Sequence, residues 1–100
     1  MKPCLLVLIV APELEEPLAD WLLEREDIKN FTQQEIRGFN RDHAEFSLEE
    51  QVTSRQQRVM FHVQTTETRA QALVSELRTA LPSAASQVLL IPLLSPALQG

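Results

Sequence analysis

The beginning of the chain is apolar without interruption. Residues 4–11 have the sequence CLLVLIVA, and a run of this length rich in Val and Ile predicts a β-strand buried on both faces. Over residues 12–26 the apolar positions change to helical spacing, at Leu14, Leu18, Trp21 and Leu22. Pro12 suits the start of a helix, and Pro17 is tolerated only in a first turn, so we expect the regular helix to begin near Glu16.

The rest of the chain repeats this order with more polar strands. Residues 31–40 form a predicted strand that is polar on both faces, as expected at a sheet edge, and residues 41–54 form a predicted long connection. Alternation returns over residues 57–64. Thr65 or Thr66 caps a second predicted helix, which Pro82 ends, and residues 88–91 form the last predicted strand. The apolar stripe of that helix consists of Ala70, Leu73, Val74, Leu77 and Leu81.

The order β-α-β-β-α-β is that of a ferredoxin-like α+β fold. We therefore expect one domain over residues 1–100, with a four-stranded antiparallel sheet in the order 4-1-3-2 and both helices on one face. A composition of 44% hydrophobic and 23% charged residues is ordinary for such a domain and excludes intrinsic disorder.

Two helices cover only one face of this sheet. Side chains alternate along a strand, yet both faces of the first strand are apolar, one with Cys4, Leu6, Leu8 and Val10, the other with Leu5, Val7, Ile9 and Ala11. Each aliphatic side chain left in water forgoes about 1.5–3 kcal/mol of burial free energy. The pattern favours a homo-oligomer that covers the second face. The alternative is that long neighbouring side chains and residues 93–98 fold over it.

Charge and cysteine content narrow the function classes. The chain has 9 Lys+Arg against 14 Asp+Glu, and a net charge of −5 argues against nucleic acid as a partner. The longest apolar run is far shorter than the ~18 residues of a membrane-spanning helix. A single cysteine fits a reducing compartment, and we see no secretory signal, so we expect a cytoplasmic protein.

One motif resembles a known family. The sequence RGFNR, residues 37–41, is similar to the Arg-Gly-Phe-Gly-Arg run that ends the second strand of the nitrogen-regulatory PII signalling family, and residues 13–16 resemble the start of that family's first helix. The resemblance covers residues 2–41 well and indicates a divergent, short-loop branch, often encoded beside heavy-metal efflux pumps. It implies a cytoplasmic homotrimer whose sheets face inward, with a small ligand in clefts between subunits. It also implies that residues 41–54 signal to a partner such as a metal-efflux transporter.

The chain departs from that family at two places. PII proteins hold nucleotide phosphates with a Gly-rich, Lys-containing loop, but residues 82–87 here are PSAASQ, which argues against ATP binding in the family's manner. Asp42 replaces a glutamine that contacts metal and 2-oxoglutarate in the family. Its carboxylate suits a cation but repels an anionic oxo-acid.

The predicted ligand-binding residues surround the connection at 41–54. They are Arg37, Gly38, Phe39, Arg41, Asp42 and Arg58. Arg suits carboxylate or phosphate recognition, although these cations and Arg55 have the intervening acidic residues as alternative partners. Gly38 within a strand indicates either a bulge or the close approach of another backbone.

Metal binding and catalysis are weaker hypotheses. His43 and Glu45 offer an imidazole and a carboxylate suited to a divalent transition metal, with His62 or Cys4 of a neighbouring copy to complete the set. The alternative is that His43 and Glu45 lie in a solvated loop and bind no metal. The sequence shows no nucleophile with a partner base, so we predict a non-catalytic protein. The second hypothesis is a small dimeric α+β barrel enzyme acting on a hydrophobic substrate, with Trp21, His43 and His62 as compatible residues.

Overall fold

The computed structural model describes residues 2–39 and 56–94. Six main elements follow one another: β1 Pro3–Val10, α1 Glu15–Leu23, β2 Phe31–Gly38, β3 Gln56–Thr66, α2 Glu67–Ala80 and β4 Val88–Pro92. The strands form one four-stranded sheet in the order β2-β3-β1-β4. All three strand pairs are antiparallel. The predicted order of 4-1-3-2 is confirmed, because it is the same order counted from the other edge.

The first helix is shorter than its apolar spacing predicts. Pro12–Leu14 form a 3₁₀ turn and α1 begins at Glu15, which leaves Pro17 in the first turn, where backbone N–H groups need no helical partner. The helix ends at Leu23, so its predicted continuation to residue 26 is wrong. After Leu23 the backbone forms a tighter turn, in which the Arg25 amide donates to the Leu22 carbonyl three residues earlier. The Arg25 guanidinium lies 4.1 Å from the Trp21 ring centroid.

The second helix begins at its predicted cap. The Thr66 hydroxyl accepts a hydrogen bond from the Arg69 amide at 3.4 Å, which satisfies a first-turn donor of α2. Arg69 also joins the chain after α1 through an ion pair with Asp27 at 2.8 Å. Both partners are half exposed, so this pair adds little to stability.

One face of the sheet carries both helices and the hydrophobic core. The buried cluster contains Cys4, Leu6, Leu8 and Val10 of β1, Val59, Phe61 and Val63 of β3, Leu18, Trp21 and Leu22 of α1, and Ala70, Leu73, Val74 and Leu77 of α2, with Ala84. Phe61 is at its centre, 6.0 Å from the Phe31 ring. The predicted placement of both helices on one face is therefore confirmed.

The opposite face, called here the open face, is apolar over β1 and β4. Val7 pairs with Leu89 on one side and with His62 on the other, so all three belong to this face. Val7 is only 3% exposed although it lies outside the core cluster, whereas Leu89 and Ile91 remain 51% and 41% exposed. Towards β3 and β2 the face becomes polar, with His62, Gln64, Thr32 and Gln34. The open face is thus half apolar and half polar.

The described part of the tail leaves the open face uncovered. The Leu93 amide donates to the Pro3 carbonyl at 3.1 Å, and the Leu94 side chain is 98% exposed. The rest of the tail considered as a cover, residues 95–98, lies outside the described residues. Among residues 2–39 and 56–94, no helix has the length and apolar character needed to cross a bilayer.

Candidate functional site

The predicted ligand-binding residues within the described ranges meet where β2 ends and β3 begins. Ile36 pairs with Arg58, Arg37 pairs with Gln57, and Gly38 pairs with Gln56. Because side chains alternate along each strand, Arg58 shares the open face with Ile36, whereas Arg37 lies on the helix face. The structure therefore brings the two arginines to neighbouring positions of the sheet but directs them to opposite faces.

A groove of about 700 Å³ occupies this end of the sheet. The Ile9 amide donates to the Gln87 carbonyl at 3.2 Å, which brings the segment after α2 to the end of β1. Gly38, Phe39 and Arg58 line the groove together with Ser83, Ser86 and Gln87. We call this space the groove. No ligand contact was predicted at Ser83, Ser86 or Gln87.

The chemistry of the groove favours a ligand with an apolar body and a polar or anionic group. Arg58 is the one charged residue among its described lining residues, and its guanidinium also donates to the Gln57 carbonyl. Hydroxyl and amide groups of residues 83–87 supply neutral hydrogen-bonding partners, and aliphatic walls come from Ile9, Leu14 and Ile36. Polar and apolar groups thus line the groove in about equal measure.

Gly38 has no role in the fold that the described residues reveal. Its pairing with Gln56 continues the one-to-one register, so the described residues show no bulge, the first of the two alternatives for Gly38. Among the described residues, a Cβ built on Gly38 meets the Gln56 side-chain oxygen at 3.9 Å, an ordinary contact, and no other backbone segment approaches closely. Phe39, the next residue, is 75% exposed at the groove.

Gly38→Ala is expected to leave the free energy of unfolding unchanged or to raise it by up to about 1 kcal/mol. Alanine fits the available space and restricts the unfolded chain more than glycine does. Urea unfolding of the variant and the parent protein at equal concentration measures the difference. A loss of more than about 1 kcal/mol contradicts this account of Gly38.

The candidate metal ligands His43 and Glu45 stay a prediction, because they lie outside the described residues. Arg41, Asp42, His43, Glu45 and Arg55 lie outside the described ranges. In the part of the chain that is described, no three His, Cys, Asp or Glu side chains gather in a way that could hold a metal ion.

Cys4 and His62, the two residues considered as partners in a metal site, have different surroundings. Cys4 is buried on the helix face, and burial, with a smaller contribution from the charge of Glu67, raises the pKa of its thiol. The thiol therefore stays protonated at neutral pH and behaves as a small core side chain. His62 is half-buried on the open face, as the alternation of β3 predicts. Trp21 packs in the core, as expected.

Comparison with known proteins identifies the family. A family model described as "Protein of unknown function (DUF3240)" matches residues 1–95. The chain belongs to the DUF3240 family. The PII resemblance of residues 2–41 therefore stays a prediction, because the matching model is that of DUF3240.

A solved structure from this family has the same fold. The crystal structure of a DUF3240 family protein from Shewanella baltica OS155 is similar to this chain with a TM-score of 0.74 and 19% sequence identity. The similarity covers 100% of this chain and 99% of that one. The comparison with curated proteins found no match.

Proposed function

We propose that this DUF3240 chain is a non-catalytic, PII-like regulatory protein of the cytoplasm. In this proposal three copies associate through the open face, and each groove binds a small ligand. Residues 41–54 report the bound state to a partner, for which a transporter of the heavy-metal efflux class is our candidate. The signalling role in this proposal comes from the PII resemblance. The open face supports association of copies, and the groove supports ligand binding.

The observation that carries the proposal is that the groove continues the open face. Ile9 follows Val7 and Leu5 on that face, Ile36 and Arg58 pair across it, and all of Ile9, Ile36 and Arg58 line the groove. A second copy bound to the apolar half of the open face would therefore extend towards the groove, which lies at the end of the sheet. A ligand held there lies beside the interface, where its binding and the association of copies influence each other.

The apolar half of the open face gives the reason for association. On this face the edge strand β4 carries Leu89 and Ile91, with exposed fractions of 51% and 41%. Exposed apolar edge strands pair or aggregate unless something covers them. Covering them with another copy of the same face removes this liability, and burial of aliphatic area supplies the free energy.

A ligand panel tests the binding half of the proposal. We expect at least one polar or anionic compound, from a panel of nucleotides, 2-oxo acids, other small carboxylates and divalent metals, to raise the melting temperature. Arg58→Gln is expected to abolish the shift of any anionic ligand, because Arg58 is the cation among the described lining residues of the groove. Arg78→Gln, at the exposed end of α2, is the matched control and should keep it. No shift with any compound, or an equal shift in Arg58→Gln, contradicts binding in the groove.

The second candidate, a dimeric α+β barrel enzyme, uses the same surface differently. Two copies that close over the open face would enclose its apolar half, which suits a hydrophobic substrate. The His62 imidazoles would lie beside that apolar surface. Stoichiometry distinguishes the candidates, since this enzyme is a dimer and the regulator a trimer.

A further inference from the structure

A second cleft, of about 480 Å³, lies at the edge of the helix face. Val59, which is 2% exposed, belongs to its apolar floor. Pro12 and Glu15 line it from the start of α1, and Glu35 and Arg37 line it from the edge strand β2. This cleft is called here the edge cleft. None of these five residues lines the groove.

The edge cleft forms because β2 loses its apolar character along its length. Phe31 packs against the core ring Phe61, but the next helix-face positions of β2 are Gln33, Glu35 and Arg37. Those side chains are exposed and polar, so the start of α1 does not close onto them. One direct link remains, the hydrogen bond of 3.2 Å that the Gln33 amide donates to the Glu15 carboxylate.

That link holds Glu15 beside charged groups of both signs. Glu35 and Arg37 are two residues apart on one face of β2, and within residues 2–39 and 56–94 neither forms an ion pair. Among the described lining residues, Glu15 adds a second carboxylate, and Arg58 reaches the cleft from the open face. The described lining therefore presents charges of both signs to a ligand. A ligand with separated positive and negative groups interacts favourably with both kinds of charge.

We propose that the edge cleft binds a small zwitterion with an aliphatic body, of the α-amino-acid type. The ammonium group lies against Glu15 and Glu35, and the carboxylate accepts hydrogen bonds from the planar Arg37 guanidinium. The aliphatic part rests on Val59 and Pro12. The volume lies within the range of ordinary small-molecule sites. Because Glu35 and Arg37 are exposed, the ion pairs are weak and screened by salt, and we expect a dissociation constant on the order of 1 mM.

Three matched probes test this proposal by NMR titration of the full chain. L-Leucine carries both charged groups, isoamylamine lacks the carboxylate, and 4-methylpentanoate lacks the ammonium. We expect L-leucine to bind about tenfold more tightly than either of the other two. Backbone resonances of residues 12–15 and 35–37 are expected to shift.

Charge-removing variants locate the site. Glu35→Gln and Arg37→Gln should each weaken L-leucine binding about tenfold. Glu16→Gln and Arg78→Gln, which are exposed and outside the edge cleft, should leave it unchanged. Absence of L-leucine binding, equal binding of the three probes, or equal effects of all four variants overturns the proposal. Since Glu35 and Arg37 do not line the groove, such a result leaves the regulatory proposal unaffected. Arg58 lines both spaces, so the Glu35 and Arg37 variants, and not Arg58→Gln, distinguish the two sites.

Discussion

Replacing Phe61 with alanine is expected to lower the free energy of unfolding by about 3–5 kcal/mol. The Phe61 side chain is fully buried at the centre of the core and packs against the Phe31 ring. Truncation removes that apolar contact area and leaves a cavity between the sheet and the two helices, which the surrounding side chains fill only in part. A loss of this size is a large fraction of the total stability of a small domain.

Met60→Ala is the matched control for Phe61→Ala. Met60 is the preceding residue of β3 but lies half-buried on the open face, opposite Ile9 and Gln34. Met60→Ala should lower the free energy of unfolding clearly less than Phe61→Ala does. Urea unfolding of both variants at one fixed protein concentration measures this, because any association of copies adds to apparent stability. If Met60→Ala costs as much as Phe61→Ala, the assignment of the core to one face of the sheet is wrong.

The proposed association through the open face predicts that Leu89→Glu gives monomers that remain folded. Leu89 pairs with Val7 on the open face, and its half-exposed side chain accepts a carboxylate in the monomer without a buried charge. In the associated state each copy places that carboxylate in an apolar interface, where desolvation of an unpaired charge costs several kcal/mol. With the charge present in every copy, association at micromolar concentration becomes unfavourable.

Leu23→Glu introduces the same charge at a control position. Leu23 ends α1 and is 72% exposed, away from the open face. Sedimentation velocity should show the parent mass for Leu23→Glu and a monomer for Leu89→Glu, both with parent-like circular dichroism. Equal masses for the two variants and the parent protein would contradict association through the face that carries Leu89.

Most of the fold follows from the apolar pattern. The uninterrupted apolar run of β1 agrees with its central position between β3 and β4. Alternation in β3 and the polarity of β2 fix which residues face the helices and which strand lies at an edge. The end of α1 was predicted poorly because the apolar spacing says nothing about the tighter backbone turn after Leu23, which carries the Arg25–Trp21 contact.

The candidate site is less predictable because it depends on pairing register and on distant contacts. The arginines at 37 and 58 flank one connection in the sequence, but a register that pairs Arg37 with Gln57 puts them on opposite faces. The contribution of Ser83, Ser86 and Gln87 depends on the bond between Ile9 and Gln87, which joins residues far apart in the chain. Local pattern carries no information on such a contact.

The molar mass of the parent protein in solution tests the central claim most directly. Light scattering at micromolar concentration is predicted to give about 34 kDa, the mass of three chains of 11.4 kDa. A mass of about 23 kDa contradicts the trimer in favour of the dimeric alternative, and a mass of 11.4 kDa contradicts association through the open face altogether.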